Sequence, residues 1–506
     1  MVGRHLFRRK IHLPLSRAFV LPKFDEYRQY RWYHEISYQK YGKDPKDTLS
    51  YRSDSHIDDI DQPPPTRSKT CDNTSFGYSH EDELVRVEML NAPWNPADVN
   101  TAQGRYPSPY ETSPNPSIAI SCSRSYQNGV RVASDQCIGR YFENDPVIGS
   151  EGWGRVTHSG SSFVPPGTLV TLGLPGLGTL RSSLWLPASA VIPVPEYVRE
   201  RLGPAGCSLF QLGGTALRLL SDFVVTEPGE LILQNAGNSG VGFLASQLSA
   251  STLRFGKDWE NREGNRSNEC PAPVMVSLIR RRGKTKEFFD EMVDYLTRVG
   301  KNAMVVAEED FYLPEDTTGR RNNSNGGGRK FNQDAIYEMR QRLRDLSPSG
   351  SLPKLALNAV GGDSAQLMLK LLKPNAGSTI VTYGGMSGKG IQFPTPQLIF
   401  SDVRAVGYWH SRWMVRQHEQ EQAKRNREEG GQRNEKIATN RRAAMVHLLS
   451  KLVKEEGLKC PPAHVVRLEN LQEGLLWHEN QSNLKCSNST RRTPIREKLV
   501  WDCVEY

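Results

Sequence analysis

Residues 231–242 read Leu-Ile-Leu-Gln-Asn-Ala-Gly-Asn-Ser-Gly-Val-Gly. The first four residues predict a buried strand, and residues 243–253 are compatible with a helix. The glycines between them, Gly237, Gly240 and Gly242, would let backbone N–H groups approach a pyrophosphate at the N-terminus of that helix. Their spacing is G-x-x-G-x-G rather than the usual dinucleotide fingerprint G-x-G-x-x-G, so this stretch taken alone is only weakly specific.

A second predicted strand, residues 274–279, strengthens the interpretation because it ends at Arg280, Arg281 and Arg282. In a nucleotide-binding βαβ unit this strand end faces the adenosine ribose, where an acid favours a free 2′-hydroxyl and arginine accommodates a 2′-phosphate. Residues 254–273 are polar and loop-like, and without them the distance from the glycine turn is the usual ~20 residues. The pattern therefore predicts NADPH as the cofactor. The alternative is a glycine turn beside a basic surface cluster.

Composition and charge limit the class of protein. The 506 residues suffice for two or three domains, and no apolar run approaches the ~20 residues that span a bilayer, so a soluble protein is expected. The net charge is +9, but residues 1–24 alone contain six Arg or Lys and no acid. This stretch predicts a mitochondrial presequence, with a disordered basic tail as the alternative. The basicity therefore does not indicate nucleic-acid binding.

The order of predicted elements divides the chain in two. Residues 34–208 contain short strands separated by turns, which is typical of a partly open β-barrel. From about residue 209 strands and helices alternate, which predicts a parallel, doubly wound sheet. Polar stretches at 52–80 and 108–137 predict loop insertions, and residues 415–440 predict a charge-dense, solvent-facing helix.

Seven motifs, in the right order, resemble those of the mitochondrial 2-enoyl thioester reductases within the medium-chain dehydrogenase/reductases. They lie at residues 95–100, 103–107, 235–242, 278–282, 357–362, 381–386 and 407–413. The resemblance implies an α/β protein in which a GroES-like β-barrel catalytic domain is joined to a Rossmann nucleotide-binding domain. The implied boundaries are a presequence at 1–33, the catalytic domain at 34–208, the NADPH-binding domain at 209–405 and a catalytic return segment at 406–506.

The activity implied by the resemblance is NADPH-dependent reduction of trans-2-enoyl-CoA or enoyl-acyl carrier protein in mitochondrial fatty acid synthesis. An acyl carrier protein would then be a partner, the mitochondrial matrix the location, and a homodimer the assembly. Residues 149–152 (Gly-Ser-Glu-Gly) lack the histidine that zinc-dependent relatives carry there, so no metal is expected. The eight cysteines include no C-x-x-C pair, which also argues against a structural zinc site and fits free thiols in a reducing compartment.

The resemblance also assigns site residues. Tyr106 matches the catalytic tyrosine, whose phenol would donate a hydrogen bond to the enolate oxygen or protonate C2. The residues that match cofactor contacts are Asn238, Ser239, Gly240, Val241, Arg280, Arg281, Arg282, Tyr383, Gly384, Gly385, Met386, Tyr408, Trp409, His410 and Lys498. Trp409 and Trp413 could instead line an acyl groove or fill the domain interface.

Two positions depart from the family pattern. Arg281 stands where the family usually has an aspartate, and this exchange either raises phosphate affinity or is merely tolerated. The family's Asn-Pro-x-Thr-Ala-Tyr motif appears here as Gly213-Gly214-Thr215-Ala216-Leu217, which predicts a glycine in place of a cofactor-contacting amide. Two alternatives therefore stay open: a quinone-type NADPH oxidoreductase of the same superfamily, and a cofactor-binding scaffold that has lost catalysis.

Overall fold

The computed structural model describes twelve segments of the chain, and the structural statements below concern these. They are residues 33–38, 44–47, 49–54, 84–103, 125–127, 130–132, 147–251, 272–281, 285–314, 329–428, 440–483 and 497–504.

Within these segments the structure contains the following strands: β1 Tyr33–Tyr38, β2 Leu49–Asp54, β3 Leu84–Pro93, β4 Ser125–Gln127, β5 Val130–Val132, β6 Trp153–Ser159, β7 Leu169–Leu172, β8 Ser183–Pro187, β9 Val191–Pro193, β10 Leu231–Asn235, β11 Val274–Ile279, β12 Met304–Ala307, β13 Leu355–Asn358, β14 Thr379–Thr382, β15 Arg404–Gly407, β16 Ala463–Arg467 and β17 Lys498–Asp502. The α-helices are α1 Pro96–Ala102, α2 Glu196–Leu202, α3 Leu209–Ser221, α4 Gly240–Ser249, α5 Lys286–Arg298, α6 Gln333–Leu346, α7 Gly362–Leu371, α8 Thr395–Phe400, α9 His410–Glu428, α10 Arg441–Glu455 and α11 Leu471–Asn483.

The nucleotide-domain sheet has six parallel strands in the order β12-β11-β10-β13-β14-β15. Counted from β10, this is the 3-2-1-4-5-6 order of a Rossmann fold. The predicted parallel, doubly wound sheet is confirmed. Its strand order reverses between β10 and β13, so the carboxyl ends of these two strands define the crevice in which such sheets bind ligands.

Local sequence explains the helices that cover this sheet. Helix α5 places Phe289, Met292 and Leu296 on one buried face, at the three- and four-residue spacing of an amphipathic helix. Thr285 caps its N-terminus, because the Thr285 Oγ1 accepts a hydrogen bond from the N–H of Phe288.

A seven-stranded, mainly antiparallel sheet forms the catalytic domain. Its order is β16-β17-β3-β6-β7-β9, with β8 paired to β3. The last two strands in sequence, β16 and β17, therefore complete a sheet begun by the N-terminal half. One apolar cluster contains Trp153 and Ile192 of this domain, Leu357 and Val381 of the nucleotide domain, and Met445 of α10. The two domains are thus joined by a shared core.

Several element predictions need correction. Residues 125–132 belong to a predicted loop insertion, yet β4 and β5 pair antiparallel there. The predicted boundary between residues 405 and 406 falls inside β15, the sixth strand of the Rossmann sheet. Helix α9 is charge-dense as expected, but Met414, Val415 and Gln417 in its first half are buried. None of the described helices is both long and apolar enough to cross a membrane.

Candidate active site

The glycine turn lies between β10 and α4, as predicted. Ser239 is the N-cap of α4, and its Oγ accepts the N–H of Gly242 at 3.2 Å. A Cβ atom on Gly242 would lie 2.6 Å from the carbonyl oxygen of Ala236, and one on Gly240 would lie 2.7 Å from Cδ1 of Leu212. A Cβ at Gly242 would meet backbone, so close packing requires this glycine, whereas at Gly240 the end of the Leu212 side chain would have to turn aside. The first N–H groups of a helix have no intrahelical partner, so this end can bind an anion. The predicted contacts Asn238, Ser239, Gly240 and Val241 all lie here.

Two buried asparagines lock the crevice between the central strands. Asn235, at the end of β10, donates through Nδ2 to Asn358 Oδ1 at 2.8 Å and to Ser364 Oγ at 2.9 Å. Its Oδ1 accepts the N–H of Ala359 at 2.7 Å. Fully satisfied buried networks of this kind specify one arrangement of the segments they join. The edge that would carry a pyrophosphate is therefore rigid.

The predicted arginine cluster is only partly described, because Arg282 lies outside the described residues. Arg280 and Arg281 follow β11 as expected, but each is paired with an acid that follows β12. The Nε of Arg280 lies 3.3 Å from Glu308 Oε2. Arg281 binds Asp310 through two hydrogen bonds, Nη1 to Oδ1 at 2.5 Å and Nη2 to Oδ2 at 3.1 Å. Arg280 and Arg281 stay predicted cofactor contacts, and each has an acidic partner that the sequence analysis did not identify.

Residues 383–386 form a turn beyond β14, over the end of β13. The N–H of Tyr383 donates to the Asn358 carbonyl at 3.0 Å, and the N–H of Met386 donates to the Ala359 carbonyl at 3.1 Å. A Cβ atom on Gly384 would lie 2.8 Å from that same Ala359 oxygen. Burial raises the pKa of the Tyr383 phenol, which stays protonated. The turn that contains the predicted cofactor contacts Tyr383, Gly384, Gly385 and Met386 therefore borders the crevice.

Tyr408, Trp409 and His410 follow β15, and two of their side chains form a buried pair. The Tyr408 hydroxyl and His410 Nδ1 are 2.8 Å apart. The His410 ring stacks on Trp413 at 5.6 Å, and the guanidinium of Arg218 lies 4.7 Å from the Trp413 ring centre. Burial, with a smaller contribution from Arg218, lowers the pKa of His410 to about 3, so its imidazole is neutral. Trp413 therefore packs inside the domain interface.

His410 also lines a narrow pocket between the two domains. Its walls are polar at Glu151, Gln211 and His410 and apolar along α9 and α10, at Met414 and Met445. The Nε2 atom of His410 is buried and has no hydrogen-bond partner among the described residues. A buried ring nitrogen of this kind is available to a ligand or to water.

The catalytic domain contributes a buried cluster of charged and amide groups. Glu151 Oε1 accepts the N–H of Gln211 at 2.7 Å, and its Oε2 accepts Asn95 Nδ2 at 3.2 Å. Asp98 Oδ2 accepts the N–H of Asn95 at 2.8 Å. Burial raises the pKa of Asp98 to about 6 and also raises the pKa of Glu151, while the positive charge of Lys498 lowers both by less. Lys498 is thus close to two carboxyl groups, in addition to its predicted role at the cofactor.

Sequence reasoning missed Asn95, Asp98, Glu151 and Gln211 as a cluster. The available signal was a glutamate embedded in the glycine-rich run at 149–154, where a charged side chain has to be buried and therefore needs partners.

No protein-family model matches the sequence. The chain is 30% identical over 339 residues to the mitochondrial enoyl-[acyl-carrier-protein] reductase of Mus musculus, and this match spans 66% of each protein. It is 30% identical over 351 residues to the reductase of the same name from Bos taurus, spanning 68% of each. The chain belongs to the mitochondrial enoyl-[acyl-carrier-protein] reductase family.

Solved structures show the same fold. The Etr1p/NADP/crotonyl-CoA complex matches 93% of this chain and 100% of its own, with a TM-score of 0.60 at 21% identity. The Etr1p/Etr2p heterodimer from Candida tropicalis matches with the same TM-score and coverage. The predicted family and fold are therefore confirmed.

One of the two departures from the reductase pattern needs correction. In Asn-Pro-x-Thr the asparagine lies three residues before the threonine, so its position here is Leu212, not Gly213; the assignment of Gly213 was wrong by one residue. Leu212 is buried against the place that a Cβ on Gly240 would occupy. An apolar side chain therefore stands at this position, next to the glycine turn.

The predicted catalytic residue, Tyr106, lies outside the described residues. Helix α1 ends at Ala102, and Gln103 follows as its C-cap. Asn95 and Asp98, which belong to the buried cluster, lie at the start of α1, and the C-cap of this helix precedes Tyr106 in sequence. Among the described residues, no group of three or more His, Cys, Asp or Glu side chains is placed to hold a metal ion.

Proposed function

We propose that this chain reduces trans-2-enoyl thioesters with NADPH. The observation that carries the proposal is that the glycine turn and the buried carboxyl cluster both contact the start of helix α3, at Leu212 and Gln211. The glycine turn, the asparagine lock and Arg280 border the switch point of the sheet, and Glu151 hydrogen-bonds to Gln211, at the start of the nucleotide domain. Membership of the enoyl-[acyl-carrier-protein] reductase family supports the thioester as substrate.

The residues of this chain fit the cofactor. The N-terminus of α4 offers N–H groups to a pyrophosphate, and Arg280 offers a guanidinium to a 2′-phosphate. When bound, NADPH supplies the hydride that adds to C3 of the enoyl group. The thioester oxygen then develops negative charge, and we assign the hydrogen bond to that oxygen, or the proton to C2, to the phenol of Tyr106.

The buried cluster supports the assignment, because it holds the start of helix α1, which precedes Tyr106 in sequence. Asn95 joins α1 to Glu151 through its side chain and to Asp98 through its backbone N–H. Glu151 in turn accepts the N–H of Gln211. These bonds connect the start of α1 to the start of the nucleotide domain. We propose that they help to orient the Tyr106 phenol, because a misplacement of about 1 Å at a reacting group is enough to cost about 10²-fold in rate.

We further propose a mitochondrial matrix location, an acyl carrier protein or CoA carrier, and a homodimer. The names of the relatives contain 'mitochondrial' and 'acyl-carrier-protein', which supports a mitochondrial location and an acyl carrier protein as the carrier. An exposed apolar patch on α8 supports the third, because Leu398, Ile399 and Phe400 are 46%, 65% and 72% exposed. The neighbouring strand β15 pairs only with β14 within the described residues, which leaves a sheet edge for a second copy.

The test is to incubate the purified protein with NADPH and, separately, crotonyl-CoA, a longer 2-enoyl-CoA and a quinone. We expect NADPH oxidation with the enoyl-CoA substrates and formation of the saturated acyl-CoA. Tyr106→Phe should lower kcat by about 10²–10⁴-fold, the range for a positioned acid or oxyanion donor, with NADPH binding retained. Oxidation with quinone alone would establish the quinone-type alternative. Tight NADPH binding without turnover of any substrate would establish the scaffold.

A further inference from the structure

The two described arginines at the 2′-phosphate edge are held differently, although they are neighbours in sequence. We propose that Asp310 neutralises Arg281 and keeps it from binding the cofactor phosphate, so that Asp310 limits the preference for NADPH over NADH. This inference rests on the proposed use of NADPH.

Arg281 is engaged through both terminal nitrogens of its guanidinium and through its backbone N–H. Its Nη1 and Nη2 atoms bind the two carboxylate oxygens of Asp310 at 2.5 Å and 3.1 Å. Its backbone N–H donates to both carboxylate oxygens of Glu309, at 3.1 Å and 3.0 Å. The guanidinium carbon lies 5.0 Å from the ring centre of Phe289. A bidentate arginine–carboxylate pair uses the same fork of donors that would otherwise grip a phosphate.

Arg280 is held in a way that leaves its fork available. Only its Nε contacts Glu308, at 3.3 Å, and its terminal nitrogens have no hydrogen-bond partner among the described residues. Glu308 is itself buried, and its Oε1 accepts the hydroxyl of Ser364 at 2.5 Å. A fixed carboxylate on Nε orients the guanidinium without consuming the two Nη groups. Arg280 is therefore the phosphate ligand, and Arg281 is its neutralised neighbour.

Charge explains why Asp310 would matter even without touching the cofactor. The Asp310 and Arg281 side chains are 52% and 40% exposed, so water screens their charges and removing either one should change affinity by a modest factor. A 2′-phosphate carries up to two negative charges, which the Asp310 carboxylate repels and the Arg281 guanidinium hydrogen-bonded to it attracts. The two effects nearly cancel while both side chains are present, and removing either one exposes the other.

A double-mutant cycle tests this. Dissociation constants for NADPH and NADH are measured by titration calorimetry on the full chain and on D310A, R281A and R281A/D310A. We expect D310A to bind NADPH about 3- to 10-fold more tightly and R281A to bind it more weakly by a similar factor. The double variant should return to within about twofold of the starting affinity. Affinity for NADH should change by less than twofold throughout.

The control is D294A, which removes the acid paired with Arg298 at 3.4 Å on the exposed face of α5. It should leave both affinities unchanged.

Three results would overturn the inference. In the first, R281A/D310A stays as weak as R281A, which would make Arg281 a direct phosphate ligand. In the second, D310A leaves NADPH affinity unchanged. In the third, D310A weakens NADPH affinity, which would mean that Asp310 presents Arg281 to the phosphate. If the unmodified chain binds NADH and NADPH equally, or neither, the proposed cofactor itself fails.

Discussion

Asp98 provides the most quantitative prediction, because burial raises the pKa of its carboxyl group even though Asn95, Ser150 and Lys498 favour the charged form. Its side chain is 1% exposed, and its Oδ2 accepts the N–H of Asn95 at 2.8 Å. Burial raises its pKa from the ordinary 3.8 to about 6, although this hydrogen bond and the charge of Lys498 oppose the rise. The folded protein therefore favours the protonated form more than the unfolded chain does.

The sign of the pH dependence follows from that rise. The contribution of Asp98 to stability is fully present below pH 3.8, where both states are protonated, and it is lost as the pH rises through about 6. One pKa unit corresponds to about 1.36 kcal/mol, so the loss amounts to about 3 kcal/mol by pH 7. Asp98→Asn keeps the oxygen that accepts the Asn95 N–H but cannot ionise. The variant should therefore gain about 3 kcal/mol relative to the parent protein between pH 4 and pH 7.

Urea unfolding followed by tryptophan fluorescence, repeated at half-unit steps from pH 4 to 7.5, measures this difference. A protein of two domains need not unfold in a single step. The quantity to compare at each pH is therefore the difference in unfolding free energy between Asp98→Asn and the parent protein. Asp334→Asn is the matched control, since Asp334 also lies in the first turn of a helix but is exposed. Its profile should run parallel to that of the parent protein. If the Asp98→Asn profile is also parallel, the carboxyl group is not desolvated as the structure indicates.

Three further predictions concern other parts of the chain. Gly214→Ala should lower stability by about 1–3 kcal/mol in urea unfolding, because its Cβ would lie 2.7 Å from Met445 Sδ. Gly213→Ala, whose Cβ meets side-chain carbons at 3.3 Å, should be near neutral, and equal losses would contradict the packing argument. Phe400→Asp should convert a dimer to monomers in sedimentation, and a persistent dimer would move the interface elsewhere. Deleting residues 1–24 should retain the thermal midpoint but abolish mitochondrial import in cells; import of the shortened chain would exclude a presequence there.

Much of the fold could be predicted because its signals are local. Apolar runs such as Leu231–Asn235 and Val274–Ile279 predict buried strands, and their alternation with helices predicts parallel pairing. The glycine turn follows the first of these strands. The paired strands β4 and β5 were missed because three-residue strands carry almost no periodic signal. The boundary at residue 405 was misplaced for a similar reason: β15 is largely exposed, so it lacks the apolar run of its parallel neighbours.

The site was predicted less completely, because its decisive contacts join residues that are far apart in sequence. Arg281 and Asp310 are separated by 29 positions and Asn95 and Glu151 by 56. A run of arginines at a strand end indicates a phosphate site only if nothing else occupies the guanidinium groups. The acids that follow β12 become relevant only once the parallel pairing of β11 and β12 brings the two strand ends together.

Arg281 and Leu212 share one structural property. Each lies beside a rigid part of the crevice, Leu212 against the glycine turn and Arg281 against the acids after β12. In both cases a residue of this chain contacts the side chain: Gly240 lies beside Leu212, and Asp310 binds Arg281. The asparagine lock between Asn235 and Asn358 stays intact between these two positions. The contacts of Leu212 and Arg281 therefore leave the hydrogen bonds between the central strand ends undisturbed.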